Sequence, residues 1–506
     1  MKKSLLLLLL ILQTAISSAV LTKNDVLSVS GMKYYLDGKE FAEIGWNKFD
    51  INWLFWEEVY AGRTLTATNA MVVKQNNSLK TLAADGFKTI RFFGNVHPAN
   101  FHSQWWPAYN NVTNKAKMCD AAMDKAIELC ETNNIRAIVS LMCDNFVNKE
   151  VTPAEDYRTL ISNVNSQSRK DLYAYLTYTI NKYKGRKGVL AWEVSNEMTL
   201  DVDVAPGIRE MNGERRPTAA EMTQFFKDVC AKIKTLDNLR MVTSGGSVLR
   251  EHADALRMIP QSTEVQLYPK RDTWTEHKNM YSMYYKNTGF SNVDIHFYMK
   301  KAPNYLIQDD RGNDLQLTAS LYNTLCTQIA VPLMIGEYGA LPKVDKSNKM
   351  YWLTGDDWFS TFTNETDTAQ LYVQQACDNA VKSGCRLIYW WCYDSHRKQD
   401  QNDPERMDLE KKRTPILYNM VLNANKQLQA KYIPTNNNEI TTEKSPIAWM
   451  KGDKLIFSPE SKDKRCRIYN LQGVLLHQFT ASNEYLINEK GIFIIKIEDQ
   501  TIRIVK

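Results

Sequence analysis

Short apolar, β-branched or aromatic runs recur through the interior of the chain. They read FAEIGWN from Phe41, FKTIRFFG from Phe87, IRAIVSLM from Ile135 and GVLAWEVSNE from Gly188, then LRMVTSGG from Leu239, NVDIHFYM from Asn292, VPLMIGEYG from Val331 and CRLIYWWCYD from Cys385. The runs are continuous rather than alternating, which is the pattern of strands buried on both faces. Between several of them apolar residues fall at i, i+3 and i+4. That spacing predicts helices over 114–134, 218–238 and 368–384, the last ended by Gly384. Strand and helix alternating eight times predicts an α/β chain folded as a (β/α)₈ barrel. A doubly wound open sheet is the competitor, but it would favour a glycine-rich phosphate loop, and neither GxGxxG nor GxxxxGK[ST] occurs. The alternation runs from about residue 40 to 430, longer than a minimal barrel, so the stretches 49–80, 95–115, 200–217, 247–290 and 341–366 are expected to be large connecting loops.

Both ends depart from this rhythm. Lys2 and Lys3 precede SLLLLLLIL, and QTAISSA then supplies small residues, so 1–19 reads as a signal peptide cleaved after Ala19. Its apolar run is too short to span a bilayer. The barrel domain is then 20–432. Residues 433–446, with Asn436, Asn437 and Asn438 between prolines, read as a linker. From 447 to 506, KLIFSP, RCRIYNLQG, VLLHQF, EYLINEKG, IFIIKIE and TIRIVK predict the short strands of a small β-sandwich. This ending resembles the C-terminal sorting domain of Bacteroidetes-type secretion, which implies the export machinery as a partner and a secreted or cell-surface location. An accessory or carbohydrate-binding sandwich is the alternative.

Composition removes several classes. Apolar residues at 44% and charged residues at 24% are near globular averages, which argues against wholesale disorder. The net charge of +6 is scattered without a basic block, so no nucleic-acid partner is expected. No membrane span is expected, and the chain is expected to be a monomer. The nine cysteines lack metal or redox spacing; Cys143, Cys230, Cys326 and Cys377 lie among apolar neighbours and read as buried small hydrophobes. HExxH is absent, and neither a metal nor an organic cofactor is expected.

In a barrel, a polar residue at the C-terminal end of a strand faces the active-site mouth. The strand ends supply Arg91 after strand 2, Asn196 and Glu197 after strand 4, His296 and Tyr298 at strand 6, Glu337 after strand 7, and Trp390 or Trp391 at strand 8. Glycoside hydrolysis needs two carboxyl groups: a protonated one for the leaving oxygen, and an ionised one for the anomeric carbon. A carboxylate beside Arg91 or a tyrosine hydroxyl stays ionised, whereas one in a drier setting keeps its proton. Taken alone, Glu197 reads as a residue at a helix start, Glu337 as the partner of a buried arginine, and His296 as a satisfied core histidine. Together at strands 4 and 7 the two glutamates read as a catalytic pair. Loop aromatics can offer flat faces to pyranose rings, and Trp46 with Trp105 or Trp106 is the expected platform.

AWEVSNE, IHFY and IGEYG, with Arg91, resemble the retaining clan of (β/α)₈ glycoside hydrolases, most closely family 5, over residues 40 to 430. The resemblance implies Glu197 as acid/base and Glu337 as nucleophile. It also implies that Asn196 meets the sugar 2-hydroxyl, Tyr298 hydrogen-bonds the nucleophile, and Arg91 supports its ionised form, while His296 and a strand-8 tryptophan line the subsite. IGWNKFDINWLFW, RFFGNVHP, LMCDNF and NKYKGRKGVLAWEVSNE are similar to the endo-β-1,4-mannanase branch, with Asn145 as the strand-3 asparagine. The sequence departs from that branch in GWN and in YWWCYD, so a β-1,4-glucanase (cellulase) and an exo-acting β-glycosidase stay open as alternatives. A non-catalytic glycan-binding barrel is the alternative from a different class. The expected partner is a β-mannan or β-glucan polysaccharide.

Overall fold

The computed structural model describes residues 21–94, 114–142, 154–203, 216–259, 270–299, 305–340, 365–394 and 409–433, and most of 448–505. The chain divides into two compact units, 1–433 and 434–506.

The first unit is a (β/α)₈ barrel. A short antiparallel sheet comes first, β1 (Ser28–Ser30), β2 (Lys33–Leu36) and β3 (Lys39–Phe41). The barrel strands follow as β4 (Glu43–Asn47), β5 (Thr89–Phe93), β6 (Arg136–Ser140), β7 (Val189–Glu193), β8 (Val242–Thr243) and β9 (Val293–Met299). A hairpin, β10 (Leu306–Gln308) and β11 (Asp314–Gln316), precedes the last two, β12 (Leu333–Ala340) and β13 (Leu387–Trp390). The eight barrel strands pair in parallel in the order β8-β7-β6-β5-β4-β13-β12-β9. Each coincides with one of the eight apolar runs. Among the described residues β8 and β9 share no ladder. The seam is held instead by the Ser291 N–H on Val242 O at 2.9 Å and by side chains of Thr243 and Asp294.

The helices form where the apolar period and the caps agree. Ala219–Leu236 buries Met222, Phe225, Phe226, Val229, Cys230 and Ile233, and starts at a capping box between Thr218 and Glu221. Asn114–Thr132 lies within its predicted span and Asp367–Lys382 begins one residue before its own, and Gly384 follows with φ +84°. Two of the expected loops contain helices. Residues 49–80 hold Ile51–Tyr60 and most of Ala70–Ala84, and residues 247–290 hold Ala253–Arg257 and Trp274–Tyr285. Their helical period is interrupted by polar residues (Asn69 caps Ala70–Ala84), which hid it from a run-based reading.

The early sheet closes the N-terminal end of the barrel. Leu27, Tyr34, Leu36 and Phe41 pack with Ile138, Leu190, Ala191, Met241, Met334, Leu387 and Tyr389 in a cluster separate from the main core. The other end is therefore the mouth. Cys230, Cys326, Cys377 and Cys385 are buried core residues, as expected of small hydrophobes, and Cys143 lies outside the described residues. No helix among the described residues is long and apolar enough to cross a membrane.

The second unit is all-β. Sheets β14 (Ala448–Lys451), β15 (Lys454–Phe457), β18 (Glu484–Leu486) and β16 (Arg465–Tyr469), β17 (Leu475–Thr480), β19 (Ile492–Ile497), β20 (Gln500–Val505) are antiparallel throughout. They share a core that includes Leu455, Phe457, Cys466, Ile468 and Ile495.

Candidate active site

Strand parity decides which side chains enter the barrel. Along β9 the polar residues Asp294, His296 and Tyr298 alternate with Ile295 and Phe297, which belong to the main core. On β4 the inward set ends in Asn47 and on β5 it includes Arg91, while Glu193 closes β7. These side chains converge on one guanidinium.

Arg91 is completely buried. Its Nε donates to Glu193 Oε2 at 2.8 Å and its Nη2 to Glu193 Oε1 at 2.7 Å, a forked pair. Nη1 donates to Asn47 Oδ1 and to Glu337 Oε1, each at 2.9 Å, and Nη2 also donates to Asn196 Oδ1 at 2.8 Å. Burial opposes its charge, but Glu193 and Glu337 overcome that and hold it firmly protonated. Asn47 is fixed in turn, its Nδ2 donating to Gly336 O at 2.9 Å and Tyr389 O at 3.2 Å.

Glu337 lies on β12 with its side chain 7% exposed. Besides Arg91 it accepts the Tyr298 hydroxyl on Oε2 at 2.6 Å. Glu197 stands just past β7 in a left-handed conformation (φ +54°), its N–H donating to Gly245 O at 2.7 Å. Its side chain keeps 33% exposure, and Oε1 lies 3.1 Å from His296 Nδ1. That nitrogen is also 3.5 Å from Glu337 Oε1. Glu197 and Glu337 each place an oxygen within 4.8 Å of the other.

Proton affinities follow from these contacts. Burial alone would disfavour the His296 cation, but Glu337 and the Glu197 contact reverse this and raise its pKa. Burial alone would likewise raise Glu197, yet the His296 contact outweighs it and the net direction is down. The acid residue was expected to keep its own proton. Both directions favour the charged forms of the Glu197–His296 pair. For Asp294, below the pair, burial and then the charge of Glu193 push the pKa upward, while the Thr243 hydroxyl bond favours the carboxylate.

The structure thus brings Arg91, Asn196, Glu197, His296, Tyr298 and Glu337 into one cluster. Trp46 does not join them. It is completely buried, stacks on Tyr418 at 5.6 Å and 7°, and touches Phe87 and Tyr393. It precedes Asn47 by one residue, so strand alternation turns it outward to the helix layer, and it is not a sugar platform. Trp390 pairs in register with Trp46 and meets Tyr338 edge-on, so it too is core rather than subsite. Trp391, one residue on, stacks on Phe49 at 4.6 Å and is 8% exposed. Asn145, Trp105 and Trp106 lie outside the described residues. Sequence reasoning passed over Glu193, Asn47 and Asp294, although a carboxylate inside an apolar run at inward parity was a usable signal.

Fold and site together define a (β/α)₈ barrel with two neighbouring carboxylates at its C-terminal mouth, organised by a buried arginine. The endo-1,4-beta-mannanase from Rhizomucor miehei superposes with a TM-score of 0.51 at 13% identity, covering 80% of this chain and 99% of that one. An alanine mutant of a glycoside hydrolase family 5 mannosidase from the same organism gives 0.51 at 11% identity, over 80% and 98%. A second such mutant, in complex with mannosyl-fructose, gives 0.50 at 12%, over 81% and 98%. At these identities the likeness is one of fold. No family model and no curated protein matches the sequence.

Proposed function

We propose that this chain is a retaining glycoside hydrolase acting on a β-1,4-linked polysaccharide, with β-mannan as the substrate class. The observation that carries the reading is the pair Glu197 and Glu337, at the ends of strands 4 and 7 with oxygens within 4.8 Å. Retaining enzymes hold their carboxyl groups about 5–5.5 Å apart, whereas inverting ones leave about 6.5–9.5 Å for a water.

Glu337, anchored by Arg91 and Tyr298, is the nucleophile. Its oxygen attacks the anomeric carbon and forms a glycosyl ester as the glycosidic C–O bond breaks. The leaving oxygen takes a proton from Glu197. His296 Nδ1 lies 3.1 Å from that carboxyl in the free site. A bound sugar covers the third of Glu197 still open to water, and the added desolvation raises the proton affinity of the carboxyl. In the second half Glu197 takes a proton from water, the hydroxide oxygen bonds the anomeric carbon, and Glu337 is released. Asn196, held by Arg91, presents its amide N–H₂ for the sugar 2-hydroxyl.

The choice of β-mannan rests on the motifs similar to the mannanase branch, and the mannanase and mannosidase names of the fold relatives support it. The reading includes export, with 1–19 as leader and the C-terminal unit as sorting domain; N-terminal sequencing of the exported protein should begin at Val20. Proton NMR of mannan digested by the purified protein tests the activity, with the β-anomer expected first. An initial α-anomer, or full activity in Glu337→Gln, would overturn the mechanism.

A further inference from the structure

Glu197 and Glu337 come from strands three apart in the barrel, yet one side chain beneath them holds a glycine that adjoins each. Asp294 is completely buried on β9. Its Oδ2 accepts the Gly245 N–H at 3.1 Å and the Thr243 hydroxyl at 2.8 Å, and its Oδ1 accepts the Gly336 N–H at 3.1 Å. The carbonyl of Gly245 accepts the N–H of Glu197. Gly336 immediately precedes Glu337, at the point where the ladder between β12 and β9 slips register. Gly336 must be glycine to allow this approach, since a Cβ there would lie 2.7 Å from Asp294 Oδ1; Gly245 is held to glycine by a different contact, a Cβ there lying 1.7 Å from Ser195 O. The carboxylate also sits at the seam where β8 and β9 lack a ladder, so it stands in for main-chain bonds that fix neighbouring strands elsewhere in the barrel.

We propose that Asp294 is the positioning residue that sets the spacing of Glu197 and Glu337, by holding Gly245 with one oxygen and Gly336 with the other. It touches no reacting atom and acts through the two glycines. The role needs an acid. Two N–H groups and a hydroxyl point at two acceptor oxygens, and an asparagine would turn an N–H₂ donor toward one of those donors. The inference rests on the glycosidase reading for its effect on rate, but not for its effect on geometry.

The test is Asp294→Asn in the full chain, with kcat and KM on an aryl β-glycoside and with thermal unfolding. A displacement of about 1 Å at the pair should lower kcat about 100-fold and leave KM unchanged. Glu43→Gln is the comparison. Glu43 is equally buried at the opposite end of the barrel, bonded to Lys88 N–H and the Thr89 hydroxyl, and its loss should lower stability while leaving kcat unchanged. If Asp294→Asn does not fold, Thr243→Val removes only the hydroxyl donor and should give a smaller fall in kcat at constant KM. Wild-type kcat in the folded variant, or a changed KM with kcat intact, overturns the proposal. If the wild-type chain cleaves no glycoside, the glycosidase reading fails on its own. The crystal structure of Asp294→Asn then decides the positioning claim: a widened gap between the two carboxylates supports it, and an unchanged gap overturns it.

Discussion

Arg91 donates to Glu193, Asn47, Asn196 and Glu337 at once, so deleting an acceptor leaves a buried cation short of a partner. Glu193→Ala removes the forked partner and should cost about 3–5 kcal/mol, read by urea unfolding, with kcat falling as Glu337 loses its fixed neighbour. Trp46→Ala should cost about 3–5 kcal/mol through the cavity left against Tyr418 and Phe87, with KM for the polysaccharide unchanged; a raised KM would return Trp46 to the subsite. The two cases mark what the sequence shows at this scale. Residue types at strand ends were legible, because a charge terminating an apolar run is conspicuous. Facing was legible only by parity, and that rule separates Asn47 from Trp46 and adds Asp294 to His296 and Tyr298. What the chain does not display is which acid Arg91 grips, since Glu193 and Glu337 are 144 positions apart and meet only on barrel closure.

The helix Trp274–Tyr285 carries an element-scale consequence. It opens on a capping box between Thr273 and Glu276 and buries His277 completely against Tyr281 and Tyr322. Among the described residues neither ring nitrogen of His277 has a hydrogen-bond partner, and desolvation lowers its pKa to about 4. The unfolded chain binds this proton near 6.5 and the folded one only near 4. The contribution of neutral His277 is therefore present above about 6.5 and lost as pH falls toward 4, amounting to about 3 kcal/mol below that. His277→Phe should flatten the pH dependence of unfolding in that window, and an unchanged slope would refute the assignment. The turn after β8 is equally constrained. Gly245→Ala places a Cβ against Ser195 O at positive φ, so a folded variant with wild-type activity would contradict the geometry described. Of the long capped helices, Ala219–Leu236 and Asp367–Lys382 were readable in advance, whereas Ala70–Ala84 and Trp274–Tyr285 were not. The sheet β1–β3 was not, because strands of three or four residues carry too little pattern to stand out.

At the scale of the molecule, the boundary at Ile433 separates two units with their own cores. The chain 1–433 should therefore fold alone and keep the kcat of the full protein; loss of cooperative unfolding would show that the second unit supports the barrel. Eight repeats of strand and helix made the barrel readable from sequence, since each run had to be buried on both faces. The identity of the sugar was not readable, because GWN and YWWCYD depart from the mannanase branch at two of the strand ends that face the mouth. The central claim is that Glu337 attacks the anomeric carbon and Glu197 does not. An activated 2-deoxy-2-fluoro β-glycoside, incubated with the protein and followed by peptide mass spectrometry, tests it directly. One sugar bonded to the peptide containing Glu337 is expected; a label on the Glu197 peptide, or turnover without any covalent species, would contradict that assignment.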